Sequence, residues 1–320
     1  MPSARKEETT PTAMGPVLEI AGSRVLTGTC SWTDPTLVKD TDWYPKKSMS
    51  AAERLAHYAK AFPLVEADST YYRPPGEQLT EGWAKRTPDG FTFDVKAYSL
   101  LTHHPTQPDG LWPDIKEAIK PDAQGKRTVY AEHLDPDALE EGWARFVRAL
   151  RPLADAGRLG AILLQYPRWF TPKRSNRDEL ARLRGRVPDL RLCVEFRSPR
   201  WLEDDDRERT TGLLREHGLS LVVVDAPPAS GLRTVVATTS DDLAVVRFHG
   251  RADATWNLRD SSAAERFRYL YDDRELRGWV PDVRRLADQA AEVHLLMNNC
   301  YQDYGVRNAA QLQELLAAPG

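Results

Sequence analysis

Eight short apolar runs recur along the chain, each closing on a polar or ionisable residue and each separated from the next by a helical or loop segment. They are RVLTGT to Thr29, LVEAD to Asp68, FTFDVK to Lys96, AILLQ to Gln165, RLCVE to Glu195, LVVVD to Asp225, AVVRFH to His249 and VHLLMNN to Asn299. Strands alternating with amphipathic helices make parallel βα units. Eight such units close into an α/β, TIM-like (β/α)8 barrel, whose reactive end is the mouth formed by the C-terminal strand ends. The residues that close the runs are therefore where function is sought.

The 320 residues exceed the usual barrel, which has roughly 250, so one barrel domain with insertions is expected over residues 23–320. Residues 1–22 begin rich in Thr, Pro, Glu and Lys without an apolar segment, which predicts a disordered tail and no export signal. A hydrophobic content of 41% suffices for a core, while no apolar run is long enough to span a bilayer. The net charge of -3 and pI near 6.2 lack the basic footprint of a duplex-binding module. A local basic patch is still allowed, so nucleic acid is a disfavoured partner. Cys30, Cys193 and Cys300 form no CxxC pair and read as reduced thiols of a cytoplasmic protein.

Ser50 with Glu53 three residues later predicts a capped helix carrying Leu55, Tyr58, Ala59 and Phe62 on one face before Pro63. The stretch after Lys96 is too long for an ordinary loop and predicts an insertion after the third strand, with helical pieces near 114–120 and 135–150. A second long excursion, 251–281, follows the seventh strand. Between Asp225 and Leu243 no helical period is present, so the sixth helix is expected to be short or missing.

Alternation along each run assigns side chains to the barrel interior. Leu192, Val194 and Phe196 share one face, which turns Cys193, Glu195 and Arg197 inward. The same parity turns Arg247, His249, Asp94 and Lys96 inward and extends to Asp68, Gln165, Asp225 and Asn298. The resulting ring holds Asp68, Lys96, Glu195, Arg197, Asp225, Arg247 and His249. Any one of these could be half of a structural ion pair. Burying so many charges from separate strands is costly unless they solvate one another or a ligand, which favours a functional pocket.

In that pocket Glu195 and Asp225 suit a base and an acid, His249 a proton shuttle, and Lys96 an oxyanion-stabilising cation or, if desolvated among cations, a Schiff-base amine, although its nearby acids favour a charged, ion-pairing lysine. Arg247 and Arg251 flank His249 and Gly250 after the seventh strand, where barrels commonly hold phosphate, so a small anionic polar ligand is expected. Thr29, Asp68, Gln165, Arg197, Asn298 and Asn299 are further binding candidates at strand ends, and Trp32, Tyr72 and Trp201 are the aromatic ones. Asp68, Glu195, Asp225 and His249 also offer donors for a divalent metal, although Lys96, Arg197 and Arg247 would repel it. No glycine-rich dinucleotide fingerprint follows a strand, so no redox cofactor is expected. Closure of the barrel should bring Cys30 and Cys300 to one sector of the mouth.

Taken together, GTCSW at 28–32, WYP at 43–45, FPLVEADSTYY at 62–72, FDVKAYSLLTH at 93–103, LLQYP at 163–167, VEFRSPRW at 194–201, VVRFHGR at 245–251 and MNNCYQDYGVRNA at 297–309 resemble the DUF72, or YecE-like, family. The resemblance runs from about Val25 to the C-terminus and implies a TIM-like barrel. It implies no reaction, cofactor or catalytic residue, because the family is named for its unknown function. The expectation is a cytoplasmic enzyme performing general acid/base chemistry on a small phosphate- or carboxylate-bearing substrate. The alternatives are a metal-dependent phosphodiesterase or nuclease, and a noncatalytic protein binding a ligand or nucleic acid. The oligomeric state is left open.

Overall fold

Parallel strands pair in chain order and close on themselves in the computed structural model, which describes residues 13–256 and 263–318. After a short β1 (Leu18–Ile20), the strands are β2 (Ser23–Cys30), β3 (Leu64–Ala67), β4 (Thr92–Lys96), β5 (Leu159–Tyr166), β6 (Leu192–Phe196), β7 (Leu219–Asp225), β8 (Leu243–Phe248) and β9 (Glu292–Met297). β9 returns to pair with β2, from Arg24↔Glu292 to Thr29↔Met297, so β2–β9 form a closed eight-stranded barrel. All eight apolar runs are strands of that barrel.

β1 folds back antiparallel onto β2 through a two-residue turn whose Ala21 and Gly22 have φ of 52° and 83°, the left-handed pair a tight hairpin requires. It covers the lower part of β2, which β3 does not reach because β2–β3 pairing starts at Gly28↔Leu64. The disorder expected over 1–22 is therefore corrected for residues 13–22, which are ordered and include β1. Met14 packs on the core and the Gly15 amide donates to the Ala59 carbonyl at 2.9 Å. The part of that expectation falling on residues 1–12 lies outside the described residues.

The Ser50 cap is present with its reciprocal Glu53 bond and starts the helix Ala51–Tyr58, which buries Leu55 and Tyr58. Ser50→Ala should lower stability by about 1 kcal/mol, the usual worth of such a cap, as read by urea denaturation. The insertion after β4 contains short helical pieces such as Pro113–Glu117 and is tied by bridges Thr106↔Val129 and Ile119↔Leu134. It leads into the long helix Pro136–Asp155. Between β7 and β8 only the 3-10 turn Pro228–Ser230 forms, as the missing period implies. The excursion after β8 carries the short helices Asp253–Trp256 and Ala263–Arg266.

The larger core lies between strands and helices, and a second fills the barrel itself with residues such as Leu26, Leu64, Leu163, Val222, Val245 and Leu296. This plugged interior means that only the last inward residue or two of each strand can reach a ligand. At the closed, N-terminal end, fully buried His294 bonds Asp94 and Glu292, each at 2.8 Å. No described helix is long and apolar enough to cross a membrane.

Candidate active site at the barrel mouth

Arg247, pointing inward from β8, is 1% exposed and joins two carboxylates. Its Nη1 donates to Glu195 Oε2 and its Nη2 donates to Glu66 Oε1 at 2.7 Å, with Cys30 Sγ at 3.4 Å from the same nitrogen. Burial opposes the charge, but Glu66 and Glu195 keep Arg247 firmly protonated. Both ends of the guanidinium are thus engaged by protein. The expectation that Arg247 presents itself to a ligand anion is corrected accordingly.

Glu195 is the hub of the inner layer. Its Oε1 accepts from Gln165 Nε2 at 2.8 Å and from His249 Nε2 at 3.1 Å, and it pairs with Arg197 Nε at 2.8 Å. Burial would raise this carboxyl, yet Arg197, Arg247 and His249 outweigh it and hold it well below the usual carboxylate range. A carboxylate so saturated is a poor base and a good anchor. His249 is pushed down to about 3 by burial and by Arg197, so its ring is neutral. With the Asn298 amide nitrogen 2.7 Å from Nδ1, the ring proton sits on Nε2 and is given to Glu195.

Glu66 was not among the residues expected here. It lies two residues before Asp68, on the same inward parity, and is completely buried. Burial raises its carboxyl, aided by Asp68 and Glu195 and opposed by Arg247 and Lys96, and its Oε2 has no hydrogen-bond partner. Asp68, half-buried just beyond β3, is also raised by burial against the pull of Lys96 and Arg247. Lys96 closes β4 with its nitrogen 4.5 Å from the centre of the Tyr71 ring. Burial, then Arg247, lowers its ammonium from the ordinary lysine value.

Above this layer is a cavity of about 500 Å³ whose floor includes Lys96, Gln165 and Arg197. Lys96, Arg168, Arg197 and Arg266 line it, and no Asp or Glu does so among the described residues. Its walls are aromatic. Tyr72 and Trp169 are 71% and 56% exposed at the rim, while Trp256 lies over the Arg197 guanidinium at 5.5 Å. The terminal nitrogens of Arg197 have no hydrogen-bond partner among the described residues, so its Nε serves Glu195 while its outer edge is left for a ligand.

Several expected members lie elsewhere. Asp225 was placed in the ring, but Val222 and Val224 take the interior positions of β7 and turn it to the helix side. There it accepts from Arg251 Nε at 3.0 Å and from Trp279 Nε1 at 3.3 Å. Arg251 also pairs with Glu275, and the Gly250 amide donates to Tyr271, so the anion site expected after the seventh barrel strand is occupied by protein contacts. Thr29 faces the helices and bonds the Tyr58 hydroxyl at 3.0 Å. Asn299 is buried against Tyr269 and Asn308.

Trp32 packs edge-on to Trp83, and Trp201 stacks between Phe196 and Phe170. Both are core residues, so of the aromatic candidates Tyr72 alone lines the cavity, joined by Trp169. The metal donors do not converge, since Asp225 points away and Glu195 is saturated. Among the described residues no group of three or more His, Cys, Asp or Glu is arranged to hold a metal ion. Cys30 and Cys300 do share one sector: Cys300 Sγ donates to the Cys30 carbonyl at 2.9 Å, and both thiols are free and raised by burial.

Comparison with known proteins agrees with the fold and assigns no chemistry. The curated relatives include the UPF0759 protein YunF of Bacillus subtilis (strain 168), 29% identical over 85% of this chain and 89% of that protein. UPF0759 protein YecE of Escherichia coli (strain K12) is 25% identical over 59% of this chain and 58% of its own length. Among solved structures, a DUF72 family protein from Thermotoga maritima MSB8 superposes with a TM-score of 0.71 and 31% identity over 92% of this chain and 99% of that one. One from Enterococcus faecalis V583 gives a TM-score of 0.73 and 26% identity over 92% and 96%. The family model for the protein of unknown function DUF72 matches residues 26–320, and the chain, an eight-stranded barrel with this mouth, belongs to that family.

Proposed function

We propose that the chain is an enzyme that binds a small polar substrate bearing a phosphate or carboxylate in the mouth cavity and performs general acid/base chemistry on it without a redox cofactor. The observation that carries this reading is the cavity lining, four cations facing about 500 Å³ with no carboxylate among the described residues there. Cations around a pocket that no carboxylate lines among the described residues attract anions and are stabilised by them. Arg197 and Arg266 would hold the anionic group, and the aromatic walls would cover the rest of the substrate.

Proton handling falls to Lys96, which lines the cavity and whose ammonium burial lowers from the ordinary lysine value, with Glu66 and Asp68 in electrostatic reach behind it. Glu195 and His249 become positioning residues that fix Arg197 and Gln165. The reduced thiols agree with a cytoplasmic setting. A noncatalytic receptor for a ligand or a nucleic-acid end is the second reading, favoured by the exposed Tyr72 and Trp169 at the rim, on which a flat group can stack.

Calorimetric titration with inorganic phosphate tests the first reading. Arg197→Met should weaken binding by about 1.5 to 3 kcal/mol, the worth of a charge-assisted hydrogen bond, whereas Lys85→Met on the outer surface should leave it unchanged. Equal affinity in the wild type and Arg197→Met would remove the basis for an anion site here. A copurifying ligand that binds tightly and is never converted would select the receptor instead.

A further inference from the structure

The cavity holds a lysine in an unusual setting. Exposed lysines such as Lys47, Lys85 and Lys116 pair with carboxylates, and Arg197 and Arg247 pair with Glu195. Lys96 forms no ion pair among the described residues. Its nitrogen lies over the face of Tyr71, and the residue lines the cavity together with Arg197 and Gln165. Its backbone is pinned, because the Lys96 carbonyl accepts from Thr70 Oγ1 at 2.5 Å and the next amide bonds Leu163. An amine without an ion pair among the described residues, rising from a held backbone into a cation-lined pocket, is an arrangement that makes lysine a nucleophile.

We propose that Lys96 forms an imine with its substrate, which is an aldehyde or ketone that also carries a phosphate or carboxylate. The inference rests on the anion-binding reading above and names the substrate class of that site. The anionic group would sit against Arg197 and Arg266, leaving the carbonyl carbon over Lys96. The neutral amine's lone pair attacks that carbon, a C–N bond forms and the carbonyl π pair moves to oxygen, which takes a proton. The nitrogen then loses a proton, the hydroxyl leaves as water after protonation, a C=N bond replaces C=O, and the resulting iminium nitrogen releases its remaining proton. Amine and carbonyl give imine and one water, with no oxidant or reductant. Water in the open cavity would carry those protons, and Glu66 and Asp68, behind the lining but in electrostatic reach of Lys96, would compensate the positive charge that forms on nitrogen.

The probe is pyridoxal 5′-phosphate, an aldehyde with a phosphate and a flat ring, mixed at equimolar ratio with the full chain and reduced with borohydride, which converts an imine to a stable secondary amine. Peptide mapping should place the adduct on Lys96, excess inorganic phosphate should suppress it, and labelling should continue at a pH where exposed lysines are unreactive. Lys96→Arg removes the amine and leaves Arg197 and Arg266 in place, so it should abolish the mapped adduct and cut total labelling roughly tenfold while inorganic phosphate still binds. Label spread over exposed lysines and unaffected by Lys96→Arg, with phosphate binding intact, would overturn the imine and leave the anion site standing. Loss of both phosphate binding and Lys96 labelling in the wild type would overturn both.

Discussion

Arg247→Met is expected to destabilise the fold far more than it changes anion binding. The substitution leaves Glu195 Oε2 and Glu66 Oε1 without their shared cation inside a barrel where both carboxylates are fully buried. Removing one partner of a buried charged network costs about 3 to 5 kcal/mol, most of it the penalty of an unpaired charge. The lower end applies here, because Glu66 can take up a proton and Glu195 retains Arg197. Urea denaturation should show the loss, and Arg247→Met combined with Glu66→Gln should recover part of it through coupling of neighbours. An unchanged midpoint together with lost phosphate affinity would instead make Arg247 a ligand-binding group.

How far the sequence could be read depended on how clean each alternation was. In FTFDVK, RLCVEFR and AVVRFH polar and apolar residues alternate near the strand end, and the inward assignment of Lys96, Glu195, Arg247 and His249 follows from it. LSLVVVD has no such alternation, since Val222, Val223 and Val224 are equally apolar, so nothing in the run itself says which face Asp225 takes. β1 has only three residues and falls below any periodic signal. Glu66 lies inside its run and not at its polar close, although Leu64, Glu66 and Asp68 share one face.

The site's remaining features depend on contacts remote in sequence. Gly250 and Arg251 look like an anion cradle until Tyr271 and Glu275 arrive to occupy them. Trp32 and Trp201 follow strand ends as closely as ligand-stacking residues would, but the space between strands and helices claims them. That no carboxylate lines the cavity among the described residues is likewise set by the insertions: His104 and Arg266 reach the rim from the two long excursions. Local pattern can place the inward strand residues, while loop closure decides what faces them.

At the opposite end of the barrel, stability should fall as pH rises above 7, and His294 should be the reason. His294 is buried between Asp94 and Glu292, and although burial alone would lower it, these carboxylates raise its pKa to about 9. A raised histidine contributes stability that is fully present below its unfolded value of about 6.5 and is lost as pH climbs through the folded value. The difference corresponds to about 3 kcal/mol between pH 6 and 9.5. Glu292 acts on the acid side: burial opposes its charge, but His294, Arg191 and Arg24 hold it down to about 2. Its contribution is present above about pH 4.5 and lost as pH falls toward 2, so the two together favour a plateau near pH 4.5 to 6.5. Urea unfolding of the wild type at pH 6 and 9.5 should show the alkaline loss, and His294→Gln should be nearly flat over the same interval. Parallel curves for the two proteins would mean that His294 is not protonated in the fold. Because this trio sits below the apolar layers and the cavity above them, phosphate affinity at pH 6 should survive His294→Gln wherever the variant remains folded.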